Sequence, residues 1–92
     1  MSRICRTYIV HGRVQKVGFR LATKRQAKLL GITGTVCNQS DGTVAVVACG
    51  EVPRLSRLHD WLLQGPPQAR VNLVEVCDQA FQSYDQFSVI SD

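Results

Sequence analysis

The sequence predicts an α+β fold, two helices laid on one face of a β-sheet, on three observations. Two stretches with helical apolar spacing alternate with β-branched runs of strand length. Glycine, proline and an Asp-Gly pair fall between these runs, where turns are needed. The chain has 92 residues, 45% of them hydrophobic, which gives room for one core and no second lobe. A single domain spanning residues 1–92 is expected.

Taken in order, Ile4 to His11 reads as a strand with alternating exposure. Gly12 and Gly18 then bracket a short loop. From Phe19 to about Leu30 the spacing predicts an amphipathic helix, with Phe19, Ala22, Ala27, Leu29 and Leu30 as its apolar positions and Gly31 as its stop. Thr33 to Cys37 is a second strand, Asn38 to Gly42 a turn, and Thr43 to Cys49 a third strand. The Asp41-Gly42 pair between two β runs is a strong hairpin signal. Pro53 suits the first turn of a second helix, with Leu55, Leu58, Trp61, Leu62 and Leu63 on its apolar side, and Gly65-Pro66-Pro67 ends it. Val71 to Val76 is a fourth strand and Phe87 to Ile90 a short closing one.

The order β-α-β-β-α-β with a terminal strand is that of the ferredoxin-like sandwich, expected here with an antiparallel sheet. Its first and third strands are adjacent, so Cys5 and Cys49 should lie at the same end. A disulfide between them is geometrically possible. In a reducing compartment free thiols are the expected state of all four cysteines, Cys5, Cys37, Cys49 and Cys77. None is spaced as Cys-x-x-Cys, so neither a metal nor another cofactor is expected.

No apolar run approaches the length of a membrane span, and Met1 to Arg6 lacks the apolar stretch of a secretory signal. A cytoplasmic protein is the expectation, without a membrane partner and monomeric. The formal charge is +4, from 11 Lys+Arg against 7 Asp+Glu. No acidic residue precedes Asp41, while Arg3, Arg6, Arg13, Lys16, Arg20, Lys24, Arg25 and Lys28 all do. That asymmetry favours an anionic ligand near the first loop, although Lys24, Arg25 and Lys28 also suit a solvated helix face.

A glycine-bracketed loop feeding a helix presents successive backbone N–H groups and the positive end of the helix dipole. Arg20 adds a planar fork of donors matched to phosphate oxygens, and Lys16 adds charge. Asn38, on the boundary of strand and turn, allows two readings. It is an ordinary turn residue, or its amide accepts from a water while donating to a phosphoryl oxygen. His11 and His59 stand alone, without a Ser/His/Asp or Cys/His constellation, and neither is expected to be a base.

Gly12-x-Val14-Gln15-x-Val17-x-Phe19-Arg20 resembles the acylphosphatase signature G-x-V-Q-G-V-x-F-R. Gly31-x-x-Gly34-x-x-x-Asn38-x-x-Asp41-Gly42-x-Val44 is similar to that family's second signature, and Tyr84-x-x-Phe87-x-Val89 matches its close. The resemblance covers nearly the whole chain. It implies a ferredoxin-like hydrolase that splits the carboxyl–phosphate bond of acyl phosphates without a metal, releasing inorganic phosphate. By it, Arg20 is the phosphate-binding arginine and Asn38 the water-orienting asparagine. The backbone of Val14, Gln15, Lys16, Val17 and Gly18 would cradle the other phosphoryl oxygens.

One position departs from the signature: Lys16 stands where the family has glycine. If φ is positive there, a lysine costs about 1–2 kcal/mol; if negative, its ammonium strengthens phosphate capture. The alternative function is therefore a catalytically weak module of the same family that binds phosphate or a partner. An RNA-binding sheet, the other use of a basic ferredoxin-like fold, needs aromatic residues on its central strands. The first and third strands offer only Tyr8, so no nucleic acid is expected.

Overall fold

The computed structural model describes residues 2–90. Its elements are β1 (Arg3–Arg13), α1 (Phe19–Leu29), β2 (Thr33–Asn38), β3 (Val44–Glu51), α2 (Val52–Gln64), β4 (Arg70–Gln79) and β5 (Phe87–Ile90). The sheet order is β4-β1-β3-β2-β5. β1 pairs antiparallel with both β3 and β4, and β2 antiparallel with β3, which is the ferredoxin-like order.

The expected all-antiparallel sheet needs one correction, because β5 runs parallel to β2. The reason lies in the connection. β4 finishes at the end where β1 and β2 begin, and the following segment crosses at that end: Gln82 contacts Cys5 at 3.4 Å, and the Gly34 amide donates to Gln86 at 3.1 Å. Starting from there along the free edge of β2, the chain can only run in the direction of β2.

One face of the sheet carries the core. Tyr8 and Val10 of β1, Val36 of β2 and Val44, Val46 and Ala48 of β3 are buried there, with Tyr8 and Val36 both opposite Val46. Against them α2 packs Leu55, Leu58 and Leu62, and α1 packs Phe19 and Ala27. The Phe19 and Trp61 rings meet at 5.8 Å, joining the two helices. The Tyr8 hydroxyl reaches the Leu55 carbonyl at 3.4 Å, and burial pushes its pKa above the ordinary tyrosine value.

The helix faces correct two expectations. Leu29 is 82% exposed, while Thr23 is fully buried in its place. Phe19, Thr23 and Ala27 form one i, i+4 stripe, and Leu29 falls on the far side of it. Thr23 is tolerated because its hydroxyl donates to the Phe19 carbonyl at 2.8 Å. On α2, Leu63 is 51% exposed, beside the Leu55-Leu58-Leu62 stripe rather than in it. His59 on the same helix is half-buried, with its ring 5.5 Å from that of Tyr8.

The expectation of four free thiols also fails. Cys5 and Cys49 are directly opposed in the β1–β3 register and are joined as a disulfide. Both are buried, so strand register outweighed the compartment argument. Loop closure over a sequence separation of 44 contributes about 4 kcal/mol by the chain-entropy relation. Cys37 and Cys77 are free. The bridge lies at the starting end of β1, and the candidate site lies at the other.

Candidate functional site

The site is assembled where β1 ends, β2 ends and α1 begins. At the tip of β1 the register with β4 shifts between His11 and Gly12. Gly12 has φ 129, and a Cβ there would lie 2.1 Å from the Arg70 carbonyl oxygen, so β1 and β4 approach this closely only at glycine. The chain then leaves the sheet as the 14–18 loop. Val14 is buried, anchoring the loop to the core.

Two residues in the loop hold left-handed backbone. Gly18 (φ 77) is the N-cap of α1, and Lys16 has φ 62, the single non-glycine residue with positive φ among the described residues. Left-handed backbone turns neighbouring N–H groups to one side, which makes an anion cradle. α1 has no side-chain cap and no acidic residue in its first turn. Its first N–H groups and the positive end of its dipole are therefore left for a ligand or water.

Val14, Lys16, Gly18, Arg20 and Asn38 line one cleft of about 420 Å³, together with Phe19, Leu21, Lys24 and Val89. Among the described residues no carboxylate lines it, and Lys16, Arg20 and Lys24 give it a positive field. Arg20 Nη1 stands 3.5 Å from the Ile90 carbonyl, so the guanidinium is steadied from the end of β5. Of the residues expected to bind phosphate, Gln15 and Val17 do not line the cleft. Val17 packs against the core instead.

Gln15 has another task. Its Nε2 donates to the carbonyls of Gln39, at 2.8 Å, and Thr43, at 2.9 Å. Those carbonyls belong to the hairpin that follows Asn38, so this amide ties the loop to the hairpin and sets the separation of the cradle from Asn38. Nothing in the order of residues signals that tie. Lys24, for which both an anion-site and a solvated-face reading stood open, sits one helical turn after Arg20 and lines the same cleft, as its i, i+4 spacing allows.

The hairpin turn is held without the Asn38 side chain. It is held by Asp41, whose Oδ1 accepts from the Thr43 hydroxyl at 2.6 Å and the Thr43 amide at 3.0 Å. The Gln39 amide donates to the Thr43 carbonyl at 2.8 Å, and Gln39 Oε1 accepts from the Thr43 hydroxyl at 3.0 Å. Asn38 is instead the last residue of β2, and its amide makes no hydrogen bond to any described residue. Its donors and acceptor face the cleft uncommitted.

The Thr43 hydroxyl, then the Thr43 amide, hold the Asp41 carboxyl below its ordinary value of 3.8. The ionised form is thus favoured by folding. Its stabilisation is complete above the unfolded value and is lost as pH falls through the lower folded value. Thermal unfolding is expected to show a midpoint that declines on acidification below about pH 4. In Asp41→Asn that decline should be shallower.

Sequence and structural comparisons agree on what such an arrangement belongs to. The acylphosphatase family model matches residues 6–89. The acylphosphatase of Actinobacillus succinogenes is 49% identical over 90 residues, covering 97% of this chain and 93% of the relative. The structure of an acylphosphatase from Coxiella burnetii resembles this one with a TM-score of 0.93 at 40% identity, over 96% of this chain and 93% of that one. The crystal structure of acylphosphatase from Bacillus subtilis gives 0.92 at 30% identity, over 95% and 98%. With a cradle, an arginine and an uncommitted asparagine in one cleft, and with these matches along nearly its whole length, the chain belongs to the acylphosphatase family.

Proposed function

We propose that this protein hydrolyses the carboxyl–phosphate bond of acyl phosphates, without a metal, as a monomeric single-domain enzyme of the cytoplasm. The observation that carries the reading is the convergence of Arg20, Asn38 and the uncapped start of α1 on one cleft. The phosphoryl oxygens lie in the backbone cradle at Val14, Lys16 and Gly18, the loop residues that line the cleft, gripped by the Arg20 guanidinium. Asn38 Oδ1 accepts a hydrogen bond from the attacking water while Nδ2 donates to a phosphoryl oxygen, and both water protons leave on the inorganic phosphate. The water oxygen bonds to phosphorus as the bond to the carboxyl oxygen breaks, giving carboxylate and inorganic phosphate. A carboxylate is a good leaving group, so no general acid is needed. Positioning and charge stabilisation suffice.

Benzoyl phosphate is expected to be hydrolysed at an undiminished rate in excess EDTA, with inorganic phosphate as a competitive inhibitor. Absence of turnover, or its loss with the chelator, removes the reading.

Lys16 motivates the second reading, a weak module that binds phosphate or a partner. It holds the left-handed backbone that glycine adopts freely, at a cost of about 1–2 kcal/mol. The backbone is nevertheless in the conformation that a cradle requires. Lys16→Gly is therefore expected to raise stability by up to about 1 kcal/mol, since added chain entropy in the unfolded state offsets part of the relief. Turnover of benzoyl phosphate should change by less than about fivefold, and KM should rise as the ammonium is lost. A rise in kcat of tenfold or more would favour the weak module.

A further inference from the structure

A second basic cleft, of about 550 Å³, adjoins the first. Arg13, Lys16 and Arg70 line it, with Val17 and the turn at 67–69. Lys16 lines both clefts, so the two meet at that residue. Arg13 and Arg70 are directly opposed in the β1–β4 ladder. Like charges in that relation repel. Elsewhere on the same ladder Arg6 faces Asp78 and pairs with it at 3.4 Å, and His11 Nε2 lies 2.5 Å from Glu75 Oε1 on the diagonal. At the site end the pattern breaks. Among the described residues neither the Arg13 nor the Arg70 side chain has an ion-pair or hydrogen-bond partner, and no carboxylate lines the cleft. An anion between the two guanidinium groups would relieve the repulsion and take planar donors from both.

We propose that this cleft is a subsite for a second anionic group, a carboxylate or phosphate at the far end of the acyl part of the substrate. The inference rests on the acyl phosphate reading and makes acyl phosphates with a second anionic group on the acyl part the preferred substrate class.

The test compares benzoyl phosphate with 3- and 4-carboxybenzoyl phosphate at low ionic strength, in the wild type and in Arg13→Gln/Arg70→Gln. Both positions are exposed, and the substitutions remove a repulsion, so folding is retained. The wild type should show kcat/KM at least about fivefold higher for one carboxylated substrate, a preference that falls with salt. In the double variant that preference should vanish while benzoyl phosphate stays within twofold. Comparing the substrate ratio between the two proteins cancels intrinsic reactivity. A wild type without preference, or a preference that survives in the variant, overturns the subsite alone. Equal losses on all three substrates also overturn it, since the arginines would then serve the reacting phosphoryl group. Weakened inhibition by inorganic phosphate with an unchanged preference would assign the cleft to free phosphate and overturn the substrate assignment. A wild type inactive on all three fails both the subsite and the acyl phosphate reading.

Discussion

Arg20→Ala is expected to lower kcat/KM for benzoyl phosphate by about a hundred- to a thousandfold, the effect of removing one preorganised donor from a developing anionic centre. In the bond-breaking step negative charge spreads over the phosphoryl oxygens, and the guanidinium is the one group in the cleft that offers a rigid planar fork to two of them. Lys16 and Lys24 supply field but not that geometry. The inhibition constant of inorganic phosphate should weaken in parallel, because product and transition state present the same oxygens. Arg20→Lys should recover part of the binding and little of the rate. The substitution leaves the α1 core stripe of Phe19, Thr23 and Ala27 intact, so the unfolding midpoint should move little. Unchanged kcat/KM and unchanged phosphate inhibition in Arg20→Ala would sink the assignment of the cleft.

Asn38→Ala should separate the two halves of the site. A drop in kcat of about a hundredfold is expected, with the inhibition constant of phosphate held within about threefold. In the proposed mechanism the asparagine aims the water, and the cradle and arginine hold the phosphate without it. Asn38→Asp should be worse on both measures: the carboxylate keeps an acceptor but loses the donor and repels the phosphoryl oxygens. If Asn38→Ala weakens phosphate binding as much as turnover, the residue is part of the grip and not the aim.

Much of this was legible residue by residue. Asp41-Gly42 announced its hairpin because a tight turn needs the glycine conformation there and Asp41 bonds forward to Thr43. Leu55, Leu58 and Leu62 announced a buried stripe because helical periodicity is local. Gly12 and Gly18 announced a glycine-bounded loop feeding a helix for the same reason: each feature is set by neighbours a few positions away. Thr23 for Leu29 in the core was not legible, since which side of α1 faces inward depends on how the helix lies on β2 and β5.

The candidate site divides in the same way. The sequence by itself determined its components: the loop with its glycines and Lys16, Arg20 at a helix start, and Asn38 before a turn. Tertiary structure alone decided that Asn38 leaves turn-making to Asp41, that Gln15 binds the hairpin rather than the cleft, and that Lys24 joins the positive wall. It also decided the parallel β5, the Cys5–Cys49 bridge and the facing of Arg13 by Arg70. The physical reason is range. Turn and helix preferences are expressed within one or two turns of chain, whereas strand register joins residues far apart in sequence. A one-residue change in that register would turn every side chain of a strand to the other face.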